Sequence, residues 1–446
     1  VATYRRHGWV LEAGVPLDHL MAELCHRSTG INGGRAGSPY IMAPEYGVLG
    51  ENSIVGAGVP IACGAALAFQ RQSRDGVVVV SFGDGAMSQG AVHEGMVFAA
   101  AERLPVVMIC ENNGWSELTP TADLLRIQDL RERLPGYGIP AVTVDGCDPL
   151  AVSEAVREAL NRARSDGGPS FIECKTVRLG GHYNGDMQVY RPKAEAADAL
   201  RRDPLARLRQ QLLDQAAVSA DELQQLDDRI KLEIESSIER VQTHPLPDAK
   251  GAAEHVIGTT EAASPRILSA DAAVEEMTFA GAVNQALRDE LGARRELIVY
   301  GEDVGFSGGV FGVTRRLQKD FGKERVFDTP IAESAILGSA VGAALEGMRP
   351  VVEIMWSDFL LVALDQIVNQ AANVRYITAG RRSVPIVIRT QKGATPGSCA
   401  QHSQCLEALL AHIPGIHVGL PSNPQDAYSM LRAAIANPDP CILFEA

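Results

Sequence analysis

Val77-Val-Val-Val-Ser-Phe-Gly-Asp84-Gly85 and, further on, Pro105-Val-Val-Met-Ile-Cys-Glu-Asn112-Asn113-Gly114 decide how this chain folds. Each is a hydrophobic run ending in polar, turn-forming residues, and the helical stretch between them, about two dozen residues, is long enough for a crossover between parallel strands. Ligands of open parallel sheets sit at the carboxyl ends of the strands, which places Asp84 and Asn113 on one rim. Gly-Asp-Gly alone reads as a turn, because Gly and Asp form turns readily. The Asn-Asn pair at the end of the next strand makes it a candidate site for magnesium and a diphosphate.

Magnesium is a small, hard cation that takes six oxygens in near-octahedral array and keeps phosphate oxygens as partners. One carboxylate, one amide oxygen and one backbone carbonyl complete its shell without over-neutralising it. Gly83 and Gly85 are expected to let the backbone approach the phosphates closely.

Composition limits the alternatives. The chain has 446 residues, 46% of them hydrophobic and 22% charged, enough to build two or three cored domains. A formal charge of -14 argues against nucleic acid or an anionic membrane as partner. Eight cysteines, at 25, 63, 110, 147, 174, 399, 405 and 441, show no C-x-x-C spacing. They fit a reduced cytoplasm better than a disulfide scaffold or a zinc site, and Cys399 and Cys405 read as ordinary thiols. No apolar run reaches the roughly 18 residues of a membrane-spanning helix, and the amino terminus has no signal-peptide pattern, so a cytoplasmic location is expected. The chain starts at Val1 and stops at Ala446, directly after a strand-like run, which leaves room for further chain at either end.

The chain reads as an α/β protein in several parts. Residues 1–195 alternate Gly/Ala-rich helical segments with strands expected at 77–82, 105–110, 141–144 and 170–174, the pattern of a parallel sheet covered on both faces. Residues 196–245 form a charged helical extension with Leu205, Leu208, Leu212 and Leu213 on one face. Residues 246–276, rich in Pro, Ala, Gly and Thr, read as a linker. From 277 to 446 the alternation resumes, with strands expected near 297–301, 351–355, 385–389, 416–419 and 441–444.

In order and spacing these residues resemble a family: the thiamine-diphosphate-dependent decarboxylating component of the 2-oxo acid dehydrogenase complexes, of pyruvate, branched-chain and acetoin type. The alpha-like part covers about 1–245 and the beta-like part about 277–446, joined head to tail. The resemblance implies two doubly wound parallel-sheet domains of transketolase-like kind, one binding the cofactor's diphosphate and one its aminopyrimidine. It also implies a further carboxyl-terminal domain that this chain does not include.

Residue roles follow from the resemblance. Asp84, Asn113 and the backbone carbonyl of Trp115 are the implied magnesium ligands. Tyr4 and Arg5 resemble the Tyr-Arg pair that meets the diphosphate, a role in which a guanidinium fork complements phosphate charge. Asn52-Ser53-Ile54-Val55-Gly-Ala-Gly resembles the segment whose branched side chain, here Val55, wedges the cofactor into its bent form; core packing is the plainer reading of Val55. Arg178-Leu-Gly-Gly181-His182 resembles the R-x-G-H-H-S loop, and Ala400-Gln-His402-Ser-Gln resembles A-Q-H-S-Q. An unperturbed imidazole titrates near neutrality, which suits His182 and His402 to moving protons. Asp328-Thr-Pro-Ile-Ala-Glu333 resembles the segment whose glutamate bonds a pyrimidine nitrogen. Glu333 is thereby the implied activating acid, although an acid at a helix start is an ordinary feature. Phe359 matches the aromatic that stacks on the pyrimidine, and Glu302 matches a second acid near the cofactor.

The chain also departs from the pattern. Tyr40, in Ala36-Gly-Ser-Pro-Tyr40, replaces one family histidine, Gly181 replaces another, and Tyr183 stands where branched-chain enzymes have serine. The implied reaction is oxidative decarboxylation of a small 2-oxo acid, or cleavage of acetoin, with acyl transfer to a lipoyl acyltransferase partner. A stand-alone carboligase making acyloins is the alternative. A catalytically silent scaffold is a third reading, against which the intact Asp84, Asn113, Glu333 and His402 speak. A site split between domains implies a homo-oligomer, at least a dimer.

Overall fold

The computed structural model describes residues 1–4, 7–258 and 277–446. These form two compact units: residues 1–59 with 75–247, and residues 60–74 with 248–446.

The first unit is built on four parallel strands. β1 (Val78–Gly83), β2 (Val106–Asn112), β3 (Ala141–Asp145) and β4 (Ser170–Lys175) lie in the order β1-β2-β4-β3. The first five residues of β2 and of β4 are all buried, as strands covered on both faces require. The helix Pro149–Arg164 covers one face through Ala155, Ala159 and Ala163, whose small side chains at four-residue spacing let it lie close to Val107, Ile109 and Ile172. Gly83 lies opposite Glu111 and Asn112 opposite Lys175, so neighbouring strands deliver Asp84 and Asn113 to the same carboxyl-end rim. The unit ends in helices Lys193–Arg201, Pro204–Asp214 and Ala220–Gln242. The last starts with a Ser219–Glu222 capping box and is tied to the helix Leu17–Leu24 by a two-pronged Arg240–Asp18 pair at 2.9 and 2.7 Å.

The second unit holds six parallel strands: β5 (Leu297–Gly301), β6 (Val326–Asp328), β7 (Arg349–Trp356), β8 (Val387–Gln391), β9 (His417–Gly419) and β10 (Cys441–Glu445), in the order β6-β5-β7-β8-β10-β9. Of these, β6 was not anticipated. Arg389 on β8, 1% exposed, clamps the three central strands. It donates to both carboxylate oxygens of Glu445 at 2.8 and 2.7 Å and to Glu353 at 2.7 Å, and a charge so deep is tolerated only when paired in this way.

Behind Glu333, every residue of the helix Glu333–Leu345 is buried. Such a helix has apolar neighbours on all sides, and residues 60–74 supply one of them. The backbones touch there: a Cβ on Gly64 would overlap the carbonyl oxygen of Ser339, and one on Gly342 that of Ile61. Of the linker expected over 246–276, residues 259–276 lie outside the described residues. Before them Ala249–Ala253 forms a 3-10 turn, and the Gly258 N–H donates to Asp439 Oδ2 at 2.7 Å. Among the described residues no helix is long and apolar enough to cross a membrane.

Candidate active site

Asp84 opens a 3-10 turn directly after β1 and is 1% exposed. Its Oδ2 accepts the Thr121 hydroxyl, while Oδ1 is buried and meets no donor at hydrogen-bond distance. Burial pushes the carboxyl above its ordinary value, against the opposing pull of the Thr121 hydroxyl and of the backbone N–H groups of Asp84, Asn113 and Gly114. A buried carboxylate oxygen without a hydrogen-bond partner suits a hard cation. Asn113 follows β2, and its side-chain oxygen accepts the Trp115 N–H at 3.0 Å, which fixes the orientation of the amide. Trp115 opens a short hairpin opposite Pro120, a residue with no N–H to give the Trp115 carbonyl. Gly83 leaves open space where a side chain would stand, whereas a Cβ on Gly85 would lie 2.7 Å from Ser116 Oγ. Gly85 therefore leaves room for the hairpin that carries Trp115 and Ser116. Among the described residues no three His, Cys, Asp or Glu side chains converge on a metal-sized site.

The segment 178–195 is threaded onto this rim by a continuous set of bonds. Trp115 Nε1 donates to Glu195 at 2.7 Å, Arg191 donates to Glu195 at 3.0 Å and to the Arg178 carbonyl at 2.6 Å, and Arg178 donates to Tyr190 Oη at 2.6 Å. Tyr190 donates to Asp186 Oδ2 at 2.6 Å, and the same oxygen accepts the His182 N–H at 2.7 Å. The Tyr190 hydroxyl and these N–H groups hold the Asp186 carboxyl below its ordinary value. The Nε of Arg178 is buried without a hydrogen-bond partner, a donor left over for an anion. His182 Nε2 meets Tyr4 Oη at 3.2 Å, and Glu117 Oε1 lies 4.0 Å away. Gly181 has no room for a side chain, since a Cβ would stand 2.6 Å from that of Asp186.

Of the remaining residues in this unit, Arg5 lies outside the described residues. Val55 is 44% exposed, so core packing does not account for it. Ser53 Oγ donates to Tyr40 Oη at 2.5 Å. The loop before Tyr40 is organised from within by Glu23, 0% exposed, whose two oxygens accept the N–H groups of Asn32, Gly34, Ala36 and Gly37 at 2.7–3.0 Å.

In the second unit the structure brings two pairs together. Glu302 follows β5 and Glu333 opens its helix. Burial first, then the Glu333 charge, push the Glu302 carboxyl up to about 7. The His402 ring stands edge-on to Phe359 at 5.1 Å and to Trp356 at 5.6 Å. Its loop is strapped down beside it: Ser357 Oγ donates to the Gln404 carbonyl at 2.6 Å and Gln404 Nε2 to Asp358 at 2.9 Å.

Thr121, Asp186, Tyr190, Glu195 and Trp356 are partners that sequence reasoning missed. Thr121 left no signal, because a threonine after a turn is ordinary; Tyr190 and Glu195 were within reach through the short Arg178–Glu195 interval.

Residues 1–250 match the family described as Dehydrogenase E1 component, and residues 275–446 match the transketolase pyrimidine-binding domain. The chain is 40% identical over 247 residues to the alpha subunit of acetoin:2,6-dichlorophenolindophenol oxidoreductase of Bacillus subtilis (strain 168), covering 55% of this chain and 74% of that subunit. It is 44% identical over 169 residues to the 2-oxoisovalerate dehydrogenase subunit beta of the same strain, covering 38% of this chain and 52% of the relative. It is also 45% identical over 186 residues to the mitochondrial pyruvate dehydrogenase E1 component subunit beta-2 of Oryza sativa subsp. japonica, covering 42% and 50%. The chain thus spans about half the length of these beta-type relatives.

Proposed function

Because the chain belongs to the dehydrogenase E1 component family, whose members use thiamine diphosphate with Mg2+, we propose that it oxidatively decarboxylates a small 2-oxo acid, or cleaves acetoin, and passes the acyl unit to a lipoyl acyltransferase partner. The observation that carries this reading is the buried, unpartnered Oδ1 of Asp84 on the rim it shares with Asn113. Two further readings go with it: residues 1–195 and 277–446 are the diphosphate-binding and pyrimidine-binding domains, and the working assembly is at least a homodimer.

Thiamine diphosphate, when bound, supplies the carbanion and the electron sink that loss of carbon dioxide requires. Asp84, Asn113 and the Trp115 carbonyl would hold the magnesium, with Tyr4 and the spare Nε of Arg178 facing the diphosphate. Glu333 would meet a ring nitrogen of the cofactor, and beside it stands Glu302, whose carboxyl burial and the Glu333 charge push up to about 7. Phe359, whose ring centroid lies 5.1 Å from that of His402, would stack on the pyrimidine. His402 in the second unit and His182 in the first are each suited to carry a proton.

The test uses purified protein with pyruvate, branched-chain 2-oxo acids and acetoin, 2,6-dichlorophenolindophenol as electron acceptor, and Mg2+ and thiamine diphosphate added or withheld. Dye reduction that requires both additions is expected with at least one substrate. Glu333→Ala should lower it by about 100-fold or more while leaving magnesium-dependent cofactor binding in place. A Glu333→Ala protein that turns over normally refutes the assignment. Carbon dioxide release with acyloin formation and no dye reduction refutes the oxidative reading.

A further inference from the structure

The segment between β8 and the helix that starts at Glu407 contains neither helix nor strand, and in it Cys399 and Cys405 bracket His402 at equal spacing. Both thiols are free and exposed. Cys63, Cys110, Cys147, Cys174 and Cys441 are buried, and burial pushes the thiols of Cys63, Cys174 and Cys441 up to about 12, which keeps them inert. Cys25 is the one other exposed thiol, and it belongs to the first unit. Cys399 takes a backbone φ of +55°, which a residue with a Cβ rarely adopts, and the chain turns at Ala400 and Gln401. The loop is held near His402 by the bonds of Gln404 to Ser357 and Asp358 and by the edge contacts of the imidazole with Trp356 and Phe359.

We propose that Cys399 and Cys405 are a redox modification site: a peroxide joins them in a disulfide that closes a ring around His402 and takes the imidazole off Phe359. The thiolate of one cysteine attacks a peroxide oxygen, breaking the O–O bond; the sulfur is oxidised to sulfenic acid and the peroxide is reduced to water or an alcohol. The second thiol then attacks the sulfenic sulfur, the S–S bond forms, and hydroxide leaves and takes up the thiol proton as water. A dithiol such as dithiothreitol reverses the bridge. Two exposed cysteines six residues apart in a stretch without helix or strand can meet as attacking and resolving thiols. Two consequences separate: formation of the bridge depends only on the two thiols, whereas its effect on turnover rests on the proton role given above to His402.

The experiment takes dithiothreitol-reduced, desalted full-length protein, adds hydrogen peroxide in small molar excess, blocks remaining thiols and digests with trypsin. One peptide, Gly393–Arg432, contains both cysteines and no others. It should be recovered unalkylated and lighter by two hydrogens than its reduced form, and dithiothreitol should restore it. Cys399→Ser and Cys405→Ser should each keep full activity when reduced and fail to form this peptide. Oxidised wild type should lose about 100-fold in dye reduction, the scale of one lost proton-transfer residue, and recover with dithiothreitol. Oxidation confined to Cys25, stable sulfenic or sulfinic acid without a bridge, or linkage only between chains overturns the site. A formed bridge with unchanged turnover overturns the switch. Inactivity of the reduced wild type on every substrate counts against the proposed function instead, and the mass of the peptide still decides the site.

Discussion

Thr121 and Asp84 form a hydrogen bond between two buried side chains that uses one carboxylate oxygen and leaves the other bare. The threonine fixes the carboxylate plane, so the bare oxygen has one direction in which to meet a cation. Removing Thr121 Oγ frees that plane, and the loss of such a supporting contact typically weakens metal affinity 10–100-fold. Thr121→Val is therefore expected to weaken magnesium-dependent binding of thiamine diphosphate by about 10-fold or more, read by titration calorimetry. Asp84→Asn should abolish it. Unchanged binding in Thr121→Val would show that the carboxylate is positioned by something else.

The Glu302 carboxyl gives the second unit a pH dependence of definite sign. Below pH 4.5 it is protonated in both folded and unfolded chains. Between 4.5 and about 7 the unfolded chain ionises while the folded one, held up by burial and by Glu333, does not. Stability should fall across that window and stay lower above it. Because Glu302 is only half-buried, solvent screening reduces the effect to about 1–2 kcal/mol. Glu302→Gln should raise the melting temperature at pH 8 and leave it unchanged at pH 4; a rise of equal size at both values would remove ionisation as the cause.

The helix Glu333–Leu345 is held by backbone contact, with Gly64 facing Ser339 and Gly342 facing Ile61. A methyl group fits at neither position without parting the helices, and overpacking of that kind costs about 1–3 kcal/mol or more. Gly342→Ala should lower the melting temperature measurably despite its better helix propensity. A gain in stability would mean that the contact is looser than it stands here.

The parts legible in sequence were those where a local pattern carries the whole message. The hydrophobic runs into Asp84 and Asn113 announced a parallel strand pair and its rim, because period and turn residues sit within a dozen positions of each other. What escaped was long-range. Thr121 lies 37 residues from Asp84, and the carboxylate of Glu23 gathers N–H groups 9 to 14 residues further along the chain. Such partners are chosen by the path of the backbone, which no window of sequence contains. At Gly85 the sequence also hid a long-range neighbour, since a side chain there would meet Ser116.

Gly181 and Asp186 share one space: the carboxylate that organises Tyr190 and His182 lies where any side chain at 181 would begin. The two positions are therefore bound in an order of change. A histidine introduced at 181 alone meets Asp186, and removing Asp186 first leaves Tyr190 and the His182 backbone without their acceptor.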